Sequence, residues 1–385
     1  MDSFLDIHEI SLKKSGEELC GDKVKVFKTD AKTIIVLSDG LGSGVKASIL
    51  STLTAEIIVT MVRSDVPLIE VINTVIGTLP ICKVRKTAYA TFTIIEIENS
   101  GQFRVVNFDN PLSFYFKNGV MCELPRQKEK ILDKEIIISN GKLERGDFLG
   151  AISDGVLYAG LGVQMDFGWG RDNIARFIEG LFIYQPRTAH SIVSGVLAET
   201  QALYRGKIGD DATFVGVYVR QRKPLMVFTG PPLDETSDEA IVERLMDFDG
   251  HRVICGGTTG NIVARYLHER IETDITSMRV DVPPVGTLIG VDLVTEGIFT
   301  MAKCLELLQQ SHGEISRIPN DRNGATLLAR ELLHADSVDF IVGQRMNEFY
   351  QNPLLPRSIS IRRQLVEELA QFLLSSKKEV RVEFC

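Results

Sequence analysis

The chain has no paired-cysteine motif, no long apolar run and no basic surplus, and each absence closes off a class of function. Its six cysteines (Cys20, Cys82, Cys122, Cys255, Cys304 and Cys385) are scattered, with no Cys-x-x-Cys among them. That pattern argues against a zinc ribbon or a disulfide framework, and points to reduced thiols packed as small apolar groups in a cytoplasmic protein. No uninterrupted apolar run approaches the roughly 18 residues that cross a bilayer; runs such as residues 34–37 have strand length. The opening MDSFLDIHEI carries acids where a secretion signal carries bases. Lys and Arg total 43 against 51 Asp and Glu, for a net charge of −8, so neither nucleic acid nor membrane is the expected partner.

What is present is ordinary globular material, 44% hydrophobic and 24% charged over 385 residues, enough for about two domains. Residues 33–37 form a short apolar run ending in a Gly-rich turn. Val45, Ile49, Leu53 and Ile57 then recur four apart, which predicts a helix over 45–61. From Tyr89 the period changes to that of strands, at 89–97, 103–108, 113–116, 135–139 and 148–152, with Asn-Pro and Asn-Gly turns between several of them. These read as one antiparallel meander. Helices near 172–182 and 187–203 and a strand at 213–219 close an α+β block over 1–221. After Arg220-Gln221-Arg222-Lys223-Pro224 strands and helices alternate to the end, which predicts an α/β domain over 222–385.

The chemistry lies in repeated aspartates. Ser38-Asp39-Gly40 and Ser153-Asp154-Gly155 each follow an apolar strand, Gly21-Asp22 precedes the first of them, and Asp210-Asp211-Ala212-Thr213 precedes the last strand. An Asp at a strand end beside Gly offers a carboxylate and an unhindered carbonyl, the oxygen donors that a hard cation takes. Each pair alone is ordinary turn chemistry. Carboxylates gathered without Lys or Arg repel one another, so such a cluster makes sense when cations fill it.

In their order, Gly21-Asp22, Ser38-Asp39-Gly40-Leu41-Gly42-Ser43-Gly44, Gly146-Asp147, Ser153-Asp154-Gly155 and Asp210-Asp211-Ala212-Thr213 resemble the PPM family of metal-dependent serine/threonine protein phosphatases, in its SpoIIE-type bacterial branch, over about residues 1–220. The resemblance implies an αββα sandwich with two Mn²⁺ or Mg²⁺ ions. It implies Asp39 as the bridging ligand with the Gly40 carbonyl, Asp22 at one ion, and Asp154 and Asp210 at the other, Asp211 being second choice to Asp210. The ions would activate a water for in-line attack on a phosphate ester. The implied substrate is a phosphoprotein, in this branch an anti-sigma-factor antagonist. The sequence departs from the family at Asp109-Asn110-Pro111, where Gly more often stands ahead of the Pro. The loop Gly42-Ser43-Gly44 lacks a P-loop ending and reads as a tight passage rather than a phosphate cradle. His8 reads as a surface or packing residue.

In the second domain a strand at 252–255 leads into Gly256, Gly257, Thr258, Thr259, Gly260 and Asn261 and then a helix over 261–270. Strand, Gly-rich turn and helix offer backbone amides to an anion, and the starts near Thr295 and Asn323 would converge with this one at a sheet edge. The competing reading makes Thr295 and Asn323 plain N-caps. A ligand there would make the domain a sensor of a small-molecule effector or a docking module. Leu365, Leu369 and Leu373, four apart, mark a core or homodimer face. Two rivals to a protein phosphatase stay open: a catalytically silent binding platform, and a hydrolase of small phosphate esters.

Overall fold

A computed structural model describes residues 3–78, 90–131, 134–345 and 358–385. The chain divides into two compact units, Met1–Gln221 and Arg222–Cys385.

Unit 1 begins with β1 (Ser3–Leu12), β2 (Asp22–Lys28) and β3 (Lys32–Gly40), followed by α1 (Gly44–Arg63) and α2 (Leu68–Thr78). Next come β4 (Ala90–Glu98), β5 (Gln102–Phe108), β6 (Phe114–Lys117), β7 (Val120–Cys122), β8 (Gln127–Ile131), β9 (Lys134–Lys142) and β10 (Phe148–Ile152). The short α3 (Asp154–Leu157), then α4 (Arg171–Tyr184), α5 (Ala189–Leu203) and β11 (Ala212–Gln221), complete it. The strands form two antiparallel sheets, in the orders β2-β3-β4-β5-β9-β8 and β1-β11-β10-β6-β7.

Alternation along the central strands explains the layering. In β3, Ile35 and Leu37 face the second sheet while Ile34 and Val36 face α1 and α2, all at most 1% exposed. In β11, Val215, Val217 and Val219 fill the space between the sheets, and Phe214 turns outward under α4 and α5. There Phe148 packs against Phe182 and Phe214 with ring centroids 5.8 and 6.0 Å apart. Each fully buried Phe contributes roughly 1.5–3 kcal/mol of apolar transfer. The result is helix, sheet, sheet, helix, as expected for an αββα sandwich.

Three expectations are corrected. The helix over 45–61 exists, but the stripe that announced it faces outward: Val45, Ile49 and Leu53 are 51–60% exposed. The buried face is Ala47, Ser51, Thr54, Ala55, Ile58 and Val62, small residues that let α1 sit close to β3. Being apolar on both faces, α1 is by length and composition apolar enough to cross a membrane, which run length alone missed because Lys46 and Glu56 interrupt it. Finally, the single meander is two sheets, since β4, β5 and β9 belong to one and β6 and β10 to the other. Tyr89 and Cys82 lie outside the described residues. The sequence reading also passed over β1 and α2.

Unit 2 runs through β12 (Pro224–Thr229), α6 (Asp238–Met246), β13 (His251–Cys255), α7 (Gly257–Leu267), β14 (Glu272–Asp274), β15 (Val285–Leu288) and β16 (Val291–Thr295). It ends with α8 (Ile298–Gln310), α9 (Gly324–His334), β17 (Ser337–Val342), α10 (Ser358–Ser375) and β18 (Glu379–Phe384). The sheet order is β14-β15-β16-β13-β12-β17-β18. Strands β16, β13, β12, β17 and β18 are parallel, and β14 and β15 add an antiparallel edge. This is an α/β domain with α8, α9 and α10 over one core and α6 and α7 over the other. Leu369 and Leu373 are fully buried and Leu365 packs beside them, so that face of α10 is core. The helix expected over 261–270 starts four residues earlier, at Gly257.

Candidate active site

Strand ends deliver the acids. Asp22 pairs directly with Asp39 across β2 and β3. Asp154 opens α3 just after β10, and Asp210 stands just ahead of β11, the strand paired with β10. Asp39, Asp154 and Asp210 line one cleft of about 550 Å³ whose rim includes Lys14, Ser43, Thr91, Asp109 and Asn110.

The two Ser-Asp-Gly copies need their glycines for the same reason. A Cβ on Gly40 would lie 2.1 Å from the Ala47 carbonyl oxygen, and one on Gly155 would lie 2.0 Å from that of Asp211. Neighbouring backbone occupies the space a side chain would need. The Gly155 carbonyl accepts a hydrogen bond from the Tyr204 hydroxyl at 2.9 Å.

Asp22 is only 5% exposed and is not among the residues that line the cleft. Its Oδ2 accepts from Ser153 Oγ at 2.7 Å, and the Thr213 amide donates to that same hydroxyl at 2.8 Å. Its Oδ1 is buried with no hydrogen-bond partner. Burial, offset in part by these hydrogen bonds, pushes Asp22 up to about 7. Burial and then the charges of Asp22, Asp154, Asp210 and Asp211 push Asp39 up to about 10. Asp154 is raised as well, first by burial and then by Asp210, while a hydrogen bond with Asp39 opposes the rise. Without a cation, burial and the neighbouring carboxylates disfavour the ionised forms of Asp39 and Asp154 alike.

This donor set fits divalent cations. It is all oxygen, the acids face one another, and Asp22 Oδ1 lacks a partner. Such a group suits Mg²⁺ or Mn²⁺ better than a softer metal. Among the described residues no three His, Cys, Asp or Glu side chains close into a coordination cluster; the acids stand around an open cleft, consistent with a cation that retains several waters.

Asp210 and Asp211 have separate situations. Asp211 is buried and accepts from the Lys14 amide and the Gly21 amide, both at 2.9 Å, using one oxygen for each. It ties the chain ahead of β2 to the chain ahead of β11. Asp210 faces the cleft, its side chain 47% exposed and its Oδ1 3.9 Å from Lys14 Nζ. Asp147 is buried and accepts from Tyr115 and the Glu144 amide.

Sequence reasoning missed Lys14 and Glu17. A cluster without cations was expected, yet Lys14 lines the cleft; a lysine in an unremarkable Lys-Lys pair carries no motif. Glu17 accepts from Ser43 Oγ at 2.8 Å and lies where a Cβ on Gly44 would fall. A carboxylate thus sits at the positive end of α1, which explains why Gly42-Ser43-Gly44 is no phosphate cradle. At the family departure, Asp109 adopts φ 50°, a left-handed conformation that Asp tolerates better than most residues. His8 lies 3.1 Å from His190 through their ring nitrogens.

In unit 2, Gly256 caps α7 with φ 128°, and Gly257, Thr258, Thr259, Gly260 and Asn261 form its first turns. The Gly256 amide donates to the Thr295 carbonyl at 2.8 Å, and the Gly230 amide to Thr259 Oγ1 at 2.9 Å. Asn323 is an N-cap, accepting from the Ala325 and Thr326 amides at 3.0 Å. Thr295 instead bonds the Glu296 carbonyl.

Two antiparallel sheets between helix layers, with aspartates at the sheet edge, are the architecture of PP2C-type phosphatases. Residues 29–220 match the family model for stage II sporulation protein E (SpoIIE). This region is a SpoIIE-type domain, a serine/threonine phosphatase of the PP2C-like kind. The PP2C phosphatase domain of SpoIIE from Bacillus subtilis, solved with a fragment of its regulatory domain, is similar at TM-score 0.50 and 20% identity, over 58% of this chain and 65% of that one. The phosphatase domain of the same protein without domain swapping aligns at TM-score 0.45 and 20% identity, over 58% of this chain and 95% of that one. No curated protein matches the chain.

Proposed function

We propose that unit 1 hydrolyses phosphoserine or phosphothreonine on a protein, with two divalent cations, Mg²⁺ or Mn²⁺, as cofactors. One observation carries this reading: three acids from separate strand ends meet around one cleft, where burial and the neighbouring carboxylates disfavour the ionised form of Asp39. Asp39, with the Gly40 carbonyl, would serve both cations, Asp22 would complete one site, and Asp154 and Asp210 the other. Bound cations supply an activated water and screen the charge that builds on the phosphate. The chain's own residues set the geometry around that chemistry. Ser153 fixes the Asp22 carboxylate, and Asp211 pins both the Gly21 backbone beside Asp22 and the Lys14 backbone at the rim. That division of labour supports Asp210 as the ligand and Asp211 as the clamp.

The cleft is open enough for a phosphorylated side chain on a protein segment. In the setting of the family that protein is an anti-sigma-factor antagonist, met in the cytoplasm, with unit 2 as a docking or effector-sensing module. The test is Mn²⁺-dependent phosphate release from a phosphoserine protein panel and from p-nitrophenyl phosphate. The expected result is turnover of both, with kcat/KM higher for a phosphoprotein. Turnover of the small ester alone would favour a small-molecule hydrolase. No turnover of either would leave a silent binding platform.

A further inference from the structure

The cleft carries one acid that the cation-binding reading leaves unused. Asp39, Asp154 and Asp210 line it as candidate ligands, and Lys14, also in its lining, pairs with Asp210 at 3.9 Å. Asp109 lines it too, exposed at the rim. Among the described residues nothing donates a hydrogen bond to its carboxylate or forms an ion pair with it. Strand register sets its distance from the other acids. Asp39 pairs with Thr91 across β3 and β4, and Phe92 with Phe108 across β4 and β5. Asp109 therefore stands level with Asp39, two strands away, which is roughly 10 Å at the spacing of neighbouring strands.

The loop that presents Asp109 is fixed. Thr91 Oγ1 donates to Asn110 Oδ1 at 3.0 Å, and Asn110 Nδ2 to Thr93 Oγ1 at 3.1 Å. Asn107 Nδ2 donates to the Pro111 carbonyl at 3.0 Å, and Arg171, at the start of α4, to the Ser113 carbonyl at 2.9 Å. Asp109 itself is held at φ 50°, where a β-carbon is disfavoured and glycine would be at ease. A charged side chain kept in that conformation beside a substrate cleft is placed to meet the substrate.

We infer that Asp109 sets the flanking-sequence preference of the phosphatase, selecting a phosphoserine segment with Lys or Arg two or three residues from the phosphoserine. This inference rests on the phosphatase reading above. With the phosphoserine over Asp39 and Asp154, an extended segment advances about 3.3 Å per residue, so a side chain two or three positions along reaches the Asp109 carboxylate. An exposed ion pair of this kind is modest in strength and screened by salt, yet sufficient to sort substrates by charge.

The test measures kcat/KM in the full chain with Mn²⁺ on three phosphoserine peptides of one sequence. They carry Lys, Gln or Glu at the second and third positions on both sides of the phosphoserine. Wild type is expected to favour the Lys peptide over the Gln peptide about fivefold and to disfavour the Glu peptide. Both differences should vanish at about 1 M salt. Asp109→Asn, which tolerates the same backbone, should bring the three peptides to within about twofold of one another, and Asp109→Lys should invert their order. Equal rates on the three peptides in wild type, or substitutions that scale all three rates alike, would overturn the inference and leave the phosphatase reading standing. A wild type that turns over no phosphoserine peptide, with or without turnover of p-nitrophenyl phosphate, would overturn both.

Discussion

Both units gather small and polar residues where strands end, yet they treat them in opposite ways. In unit 2 many edge groups satisfy one another: the Gly230 amide meets Thr259, the Gly256 amide meets the Thr295 carbonyl, and Asn323 caps α9; the Thr229 and Thr300 hydroxyls are buried without a partner, but they are neutral. In unit 1 the edge groups conflict. Burial and like charge disfavour the ionised forms of Asp39 and Asp154, and Asp22 Oδ1 lacks a partner. Satisfied edges hold a fold together, whereas an edge that costs stability when left alone points to something the protein binds.

The sharpest way to break this contrast is at Asp39. Asp39→Asn is expected to lower Mn²⁺-stimulated phosphatase activity at least a thousandfold, measured on a phosphoserine peptide. It should not lower the metal-free melting temperature, because it removes repulsion; wild-type rates would erase the distinction between the units. Gly40→Ala comes next. Its methyl would fall on the Ala47 carbonyl, so unit 1 is expected to lose about 3 kcal/mol in urea unfolding.

A smaller effect separates neighbours in sequence. Asp211→Asn places a donor against one of two backbone amides and is expected to cost about 1–3 kcal/mol. Asp210→Asn should cost activity and almost no stability. The smallest effect concerns α1: Ile49→Gln, on the exposed stripe, should change stability by less than about 0.5 kcal/mol. Ile58→Ala, on the buried face, should cost about 2–5 kcal/mol. Equal effects at the two positions would mean that the faces of α1 are assigned the wrong way round.

The α1 result shows where sequence legibility ended. A four-residue apolar repeat identifies a helix, but it does not say which face is buried when the opposite face is Ala47, Ser51, Thr54 and Ala55, residues small enough to pack tightly on a sheet. The motif acids were legible because their order along the chain is itself a signal. Lys14 and Glu17 were not, since each acts through contacts with residues distant in sequence: Lys14 with Asp211, and Glu17 with Ser43. Strands β6 and β10 read correctly as strands but joined a different sheet from β4 and β5, because alternation reports burial and not which partner lies alongside.

Proton linkage supplies the most direct test of the cation-binding cleft. Asp39, raised to about 10, binds more protons folded than unfolded above the ordinary carboxylate range near 4. The stability of the metal-free protein should therefore fall as pH rises through that interval. A cation must displace the same proton, so its affinity should rise with pH. Calorimetric titration of Mn²⁺ at about pH 6.5 and about pH 8, each in two buffers of different ionisation enthalpy, reads both quantities. The account predicts tighter binding at the higher pH, net proton release, and loss of both in Asp39→Asn; Mn²⁺ binding that released no protons, or no binding at all, would contradict it.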